Sequence, residues 1–146
     1  MTKPIYILNG PNLNLLGTRE PDVYGTMTLD DIAAACSAHA GKLGRGVEFR
    51  QSNHEGVLID WLHEANQKAC AVIFNPGAYT HTSVALHDAV RAIEPPVIEV
   101  HLSQTAARET FRHHSFVASA ARGSITGLGL ASYLLGIDAA EHCLHH

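Results

Sequence analysis

The sequence is poor in lysine, cysteine and charge, and each shortage excludes a class of function. Its 146 residues include three cysteines and three lysines, charged residues make up 16% of the chain, and the net charge is −4. A mildly acidic chain has no sequence-independent attraction for nucleic acid. Cys36, Cys70 and Cys143 are widely spaced and form no C-x-x-C pair. This argues against disulfides or a zinc ribbon and indicates a reducing compartment.

Long apolar runs are also missing. The run near the amino end covers residues 5–8, which is too short for a signal peptide. The longest run, residues 125–137, contains Thr126 and Ser132 and falls short of the roughly 18 residues of a membrane span. We therefore expect a cytoplasmic protein without a membrane segment.

Short apolar runs alternate along the chain with amphipathic stripes. Runs at 5–8, 47–49, 71–74 and 97–100 predict strands, and 124–125 predicts a short fifth strand. Between these strands, three stripes of apolar residues at helical spacing predict three helices. Their core-facing residues are Leu29, Ile32, Ala33, Cys36, Ala40 and Leu43 in the first, Leu58, Trp61, Leu62 and Ala65 in the second, and Leu86, Ala89, Val90 and Ile93 in the third.

A last helix is predicted over residues 127–140, which are apolar nearly all round. Capping boxes at Ser52 to Glu55 and Thr28 to Asp31 predict the starts of two helices. Strand–helix alternation predicts a parallel sheet covered on both faces. We therefore expect one α/β domain over residues 1–146, a flavodoxin-like three-layer sandwich whose five-stranded parallel sheet has the order 2-1-3-4-5.

Polar residues follow three of the predicted strands, at residues 9–12, 75–81 and 99–103. Ligands of open α/β sheets bind beyond the carboxyl ends of the strands, so these segments predict a binding site. The alternative is that their asparagines and glycines only serve the turns.

Two segments contain residues suited to proton transfer. Glu99 and His101 are two positions apart on a strand, so their side chains share a face, and a carboxylate beside a histidine favours its proton-donating form. The loop over residues 10–28 is long for a strand–helix connection, as expected for a lid, and it contains Arg19 and Tyr24. A guanidinium lowers the pKa of a neighbouring acid by roughly 1–3 units, so Arg19 would help to form a tyrosinate base. Alternatively, these residues have no role in proton transfer. His101 would then form hydrogen bonds to backbone groups, Tyr24 would be a packing residue, and Arg19 would be exposed to solvent.

Several kinds of site have no support in the sequence. It has no H-E-x-x-H metal motif, no phosphate-binding G-x-x-x-x-G-K and no G-x-G-x-x-G, so we expect neither a metal nor a cofactor. The three lysines fall at predicted strand starts and helix ends, which makes Schiff-base chemistry an improbable mechanism. A basic cluster is available to meet an anion, and its members are Arg108, Arg112, His113 and His114.

Several blocks closely resemble the type II 3-dehydroquinate dehydratases of the shikimate pathway. These blocks are residues 8–17 (LNGPNLNLLG), 19–21 (REP), 24–25 (YG), 50–56 (RQSNHEG), 75–83 (NPGAYTHTS), 99–103 (EVHLS), 108–109 (RE) and 111–115 (FRHHS). They cover nearly the whole chain in order. The family usually shows Ser-Asn-x-His-Ala-Arg-Glu where this chain has Gln104 and Ala106 in place of the Asn and the first His.

The resemblance implies a hydro-lyase that eliminates water from 3-dehydroquinate with anti geometry, through an enolate, in a flavodoxin-like subunit of a dodecamer. It implies a role for each of eleven residues. Tyr24 would be the base, Arg19 would lower its pKa, Asn12 would hold the enolate, and His101, oriented by Glu99, would protonate the leaving hydroxyl. Asn75, His81 and Arg112 would bind ring hydroxyls, Leu102 and Ser103 would bind the substrate carboxylate, and Asp88 would reach in from a neighbouring subunit.

Two other classes of function stay open at this level. A flavodoxin-like binding module could carry a flavin or an anion, although more aromatic residues are expected in flavin loops. A structural assembly subunit would account for the apolar last helix but would leave Arg19 and Tyr24 unexplained.

Overall fold

A five-stranded parallel sheet organises the fold. The structure, a computed structural model, describes residues 2–18, 22 and 26–146. The strands run in the order β2-β1-β3-β4-β5, as the sequence predicts, and all neighbouring pairs are parallel. The strand bounds are Ile5–Asn9 for β1, Val47–Gln51 for β2, Ala71–Asn75 for β3, Val97–His101 for β4 and Gly123–Thr126 for β5.

Helices cover both faces of the sheet. Within the described residues these are α1 (Leu29–Lys42), α2 (Glu55–Lys68), α3 (Val84–Ala92) and α4 (Leu130–His145). One core cluster joins α1 and α4 to the strand residues that include Ile7, Ile73 and Val100. The other joins α2 and α3 to Leu8 and Phe74. The three central strands are buried along their whole length, because a strand covered on both faces must be apolar at consecutive positions.

Of the two predicted capping boxes, one forms and the other does not. Thr28 caps α1 by accepting from the Asp31 backbone N–H, and the Asp31 carboxylate accepts from the Thr28 backbone N–H. The prediction at Ser52 was wrong, because α2 begins two residues later than the box requires and has His54 as its N-cap. The Ser52 hydroxyl instead accepts from the His54 N–H.

The predicted bounds of the last helix were also wrong. The helix starts at Leu130 because Gly127 and Gly129 adopt positive φ angles of 88° and 58°, which a helix excludes. It continues past residue 140 to His145. The helix is not uniformly buried either: Tyr133 is fully buried, whereas Leu135 is 44% exposed.

The loops after β1 and β3 cross in direct contact above the sheet. A Cβ built on Gly10 would lie 2.2 Å from the carbonyl oxygen of Pro76. The Gly10 N–H also donates to the backbone oxygen of Asn75, with 2.8 Å between the two atoms. Gly77, at a φ of +62°, faces Pro11 across the same crossing. The two loops therefore reach the carboxyl edge of the sheet as one packed unit.

A transmembrane helix is not found among the described residues, since none of their helices combines the length and the hydropathy needed to cross a bilayer.

We predict that Gly10→Ala lowers the free energy of unfolding by at least about 2 kcal/mol, because the added methyl group would overlap backbone atoms that cannot rotate away. Chemical denaturation at a fixed protein concentration measures this change. Gly56→Ala is the control, since nothing lies within 4 Å of a Cβ at that position in α2. Equal stability of the two variants would contradict the packed crossing.

Candidate active site

A cleft opens beyond the carboxyl ends of β1, β3 and β4, where the sequence predicts a site. Its volume is about 170 Å³, and its floor is formed by the two crossing loops. It brings together residues that lie far apart in the sequence. Those predicted to be functional that line it are Asn12, Asn75, His81, His101, Leu102, Ser103 and Arg112.

The loop after β1 holds Asn12 in an unusual conformation. Its φ of 69° places it in the left-handed region, which asparagine tolerates better than most residues. The Asn12 backbone N–H donates to the side-chain oxygen of Asn53 over 3.0 Å. Gln51 donates to that same oxygen at 3.1 Å and to the Gly10 carbonyl. The end of β2 therefore fixes the loop that presents Asn12 to the cleft.

Glu99 and His101 form a buried pair at the end of β4. Their side chains share a face, as predicted, with 2.7 Å between His101 Nε2 and Glu99 Oε2. Glu99 is 1% exposed and His101 is 6% exposed. Because an ionised carboxylate only accepts, Nε2 carries a hydrogen, which leaves Nδ1 as the nitrogen able to transfer a proton.

Two hydroxyl groups complete the surroundings of Glu99. Thr80 donates to Oε2, and Ser115 lies 2.9 Å from Oε2 and 3.1 Å from Oε1. Burial by itself raises the pKa of the Glu99 carboxyl, but the hydrogen bonds and charge of His101, with those of the two hydroxyls, outweigh it and leave the pKa below its ordinary value. Glu99 is therefore an ionised group inside the protein.

A second cavity of about 210 Å³ adjoins this pair. It shares His81, His101 and Arg112 with the cleft, and Glu99 lines it. The predicted role of Glu99 is thus compatible with its position: the carboxylate contacts His101 from behind and does not itself line the cleft.

His81 has one ring nitrogen fixed by the backbone. The distance from Nδ1 to the carbonyl oxygen of His114 is 2.8 Å, so Nδ1 donates. Burial lowers the pKa of His81, and the nearby charges of His101 and Arg112 lower it further. In its neutral form, His81 therefore has an acceptor at Nε2.

The rim of the cleft is cationic. Arg108 and Arg112 both line it, and the Arg108 guanidinium lies 3.4 Å from the Ser103 hydroxyl. Arg112 Nε donates to Glu109 at 2.5 Å, which orients the guanidinium and leaves its terminal nitrogens for other partners. Such a rim favours an anionic ligand.

The positions of three other predicted site residues need separate mention. Arg19 and Tyr24 lie outside the residues that the structure describes, so the lid and the base stay predictions. Asp88 is exposed on α3, opposite the buried Leu86, Ala89 and Val90, as expected if it serves a neighbouring subunit. The three lysines lie before β1 or at the last residues of α1 and α2, at the amino edge of the sheet and away from the cleft.

The contacts of Thr80, Ser115 and Gln104 were not predicted from the sequence. Thr80 and Ser115 belong to two of the blocks that resemble the family, but their spacing in the sequence does not indicate that both contact Glu99. Gln104 accepts a hydrogen bond from Thr126 at the end of β5, at 2.7 Å. Gln104, one of the two residues that depart from the family pattern, is therefore anchored to the sheet.

We predict that Glu99→Gln destabilises the fold in a pH-dependent way. Because folding lowers the pKa of Glu99, its ionised form contributes stability above the unfolded-state pKa of about 4.3. That contribution declines as the pH falls through the lower folded-state pKa. The difference in free energy of unfolding between wild type and Glu99→Gln should thus be largest above about pH 5 and shrink in acid.

Denaturation curves recorded between about pH 3 and 7 measure this difference. The exposed carboxylate of Glu94 provides a control, since Glu94→Gln should change stability by less than about 0.5 kcal/mol. A Glu99→Gln effect that is the same at every pH would show that the carboxylate is not ionised in the folded protein.

Comparisons with known proteins agree with this geometry. Residues 3–141 match the family described as dehydroquinase class II. The chain is 79% identical to the 3-dehydroquinate dehydratase of Maricaulis maris over 140 residues, which is 96% of each protein. It is similar to the type II dehydroquinase structure from Propionibacterium acnes, with a TM-score of 0.91 and 44% identity over 100% of this chain and 99% of that one. The structure from Butyrivibrio crossotus is similar at a TM-score of 0.93 and 39% identity, over 96% and 98% of the two chains. The chain therefore belongs to the class II dehydroquinase family.

Proposed function

We propose that this chain is a hydro-lyase that removes water from 3-dehydroquinate to give 3-dehydroshikimate, as in the shikimate pathway. The observation that carries the proposal is the buried Glu99–His101 pair, which presents a proton donor to a cleft with a cationic rim. A family match over nearly the whole chain supports the same reaction. We propose further that residues 1–146 act as a single catalytic domain.

The elimination begins with loss of a proton beside the ketone. Tyr24, as tyrosinate, takes this proton, and the electrons of the C–H bond move into the carbonyl to form an enolate. Arg19 lowers the pKa of Tyr24. An unperturbed tyrosine would need about 4 kcal/mol to ionise at pH 7, and a neighbouring guanidinium reduces that cost. Asn12, fixed at the cleft by Asn53, stabilises the enolate oxygen.

The second step expels the hydroxyl group. The enolate electrons form the new carbon–carbon double bond as the C–O bond breaks, and His101 transfers its Nδ1 proton to the departing oxygen, so that water leaves. Glu99 keeps the imidazolium oriented and stabilises its charge. An anti elimination requires Tyr24 and His101 to act on opposite faces of the substrate ring.

The remaining residues bind the substrate. Asn75, His81 and Arg112 contact its ring hydroxyls, and Leu102 and Ser103 hold its carboxylate beneath the cationic rim. Every proton in this scheme moves on the chain's own side chains, so the proposed reaction uses no metal or cofactor.

The proposal is tested by adding 3-dehydroquinate to the purified protein and following the ultraviolet absorbance of the conjugated enone product. Wild type should form enone catalytically. Tyr24→Phe should lower turnover about 100-fold or more, the range for loss of a general base, with little change in substrate binding. Arg19→Ala should move the basic pKa of the activity profile upward.

Tyr6→Phe is the matched control, since Tyr6 lies on β1 and bonds to Glu64 of α2, far from the cleft; its activity should stay unchanged. Borohydride added with substrate should not inactivate the enzyme, because the lysines lie at the other edge of the sheet. Near-normal turnover by Tyr24→Phe, or inactivation by borohydride, would refute the mechanism.

We also propose that the chain forms a dodecamer in the cytoplasm, with Asp88 completing the site of a neighbouring subunit near Arg112. Asp88 shares the exposed face of α3 with Val84, one turn away, which is 54% exposed. The three cysteines are free thiols, which supports a reducing compartment.

We predict that Asp88→Ala lowers activity at least about tenfold, because removing one partner of a charge pair leaves the other charge unpaired. Sedimentation velocity should show smaller species, while circular dichroism stays native. Asp60→Ala is the control, because Asp60 is an exposed aspartate on α2. If Asp88→Ala were fully active and sedimented like wild type, Asp88 would be an ordinary surface residue.

A further inference from the structure

A chain of buried hydrogen bonds runs beneath the cleft, on the face of the sheet opposite Glu99. Its centre is the hydroxyl of Tyr133 on α4, a residue that is fully buried. This hydroxyl lies 2.6 Å from Asn9 Oδ1 and 2.8 Å from Asn75 Nδ2. The two asparagines are register partners at the ends of β1 and β3, so a single hydroxyl on α4 reaches both.

At both ends of this series of hydrogen bonds lies a backbone group that can only accept or only donate. Asn9 Nδ2 lies 2.9 Å from the carbonyl oxygen of Arg50, which only accepts, so the amide nitrogen of Asn9 must face it. Asn75 Oδ1 lies 3.1 Å from the N–H of Gly77, which only donates, so the amide oxygen of Asn75 must face that group. Neither side-chain amide can be reversed without setting like groups against each other.

The single proton of the Tyr133 hydroxyl links these two ends. Because Asn9 presents its oxygen to Tyr133, the hydroxyl donates to Asn9, and it can then only accept from Asn75. The Arg50 carbonyl thus determines, through Asn9 and Tyr133, that Asn75 must direct its amide nitrogen toward the Tyr133 hydroxyl. The amide of Asn75 is held on two sides, at its oxygen by Gly77 and at its nitrogen by Tyr133.

Asn75 also lines the cleft. Its oxygen accepts from Gly77 and one hydrogen of Nδ2 goes to Tyr133. The second hydrogen of Nδ2 has no acceptor among the residues that the structure describes. Although Oδ1 keeps a second lone pair, this remaining hydrogen of Nδ2 can bond only to an acceptor, such as a hydroxyl or ketone oxygen of a ligand.

We propose that Tyr133 is a positioning residue that fixes Asn75 as a hydrogen-bond donor to an oxygen of the bound substrate. The inference rests on the proposed function, in which Asn75 binds the substrate ring. Packing alone does not require the hydroxyl, since a phenylalanine ring fills nearly the same space. A hydroxyl buried in an apolar core is stabilising only when its partners are in place, and here both partners are the asparagines.

The experiment is a double-mutant cycle in the dehydration assay, with Tyr133→Phe, Asn75→Ala and the double variant. Tyr133→Phe frees the nitrogen end of the Asn75 amide and should raise KM about three- to tenfold, the range for one net hydrogen bond. Its kcat should stay within about twofold of wild type, because the contact is made equally in the ground and transition states. In the Asn75→Ala background, the same change should alter KM by less than about twofold.

Tyr6→Phe is the matched control for loss of a buried tyrosine hydroxyl. Its hydroxyl bonds to Glu64 at 2.6 Å on the opposite face of the sheet, so its KM should not change even if stability falls. An unchanged KM for Tyr133→Phe, or an equal rise in KM with and without Asn75, would overturn the inference. An inactive wild type would instead refute the proposed function, so the two failures are distinguishable.

Discussion

The site depends on keeping one carboxylate charged inside the protein. An ion buried to the extent of Glu99 is tolerated only when donors replace the water it has lost. His101, Thr80 and Ser115 supply them, and they come from β4, the loop after β3 and the segment before β5. The order of the sheet therefore serves the chemistry, because only adjacent strand ends bring these segments to the same oxygen atoms.

Two polar networks flank the cleft on opposite faces of the sheet. Ile98 and Val100 face α1 and α4, so the alternating Glu99 and His101 face the other way. The hydrogen bonds around Glu99 stabilise its negative charge. Those around Tyr133 join uncharged groups and determine which end of the Asn75 amide faces the hydroxyl. Burial strengthens both networks: it lowers the local dielectric around the Glu99 carboxylate, and it raises the pKa of the Tyr133 hydroxyl, which stays protonated.

Local patterns in the sequence predicted the framework because they depend on neighbouring residues. The alternation of apolar runs and stripes predicted the parallel sheet, for which the order 2-1-3-4-5 was the best guess, and the spacing of Glu99 and His101 predicted their shared face. The predicted capping box at Ser52 was wrong because the Ser52 hydroxyl forms a local turn with His54 instead. The predicted start of the last helix was wrong because the positive φ angles of Gly127 and Gly129 exclude a helix there. Contacts such as Tyr133 with Asn9, 124 positions apart, have no local signature and required the structure.

Gln104, which departs from the family pattern, lies beside the cleft and has a contact of its own. Gln104 follows Ser103, which we propose to bind the substrate. Its side chain bonds instead to Thr126, and its Cβ lies 3.0 Å from the position of a Cβ on Gly127. The segment after β4 is therefore anchored to the end of β5 by a glutamine and a glycine that leaves room for it. Because the Gly127 and Gly129 N–H groups also donate to the carbonyl oxygens of His101 and Leu102, the backbone of the segment is held independently of the side chains that differ from the family pattern.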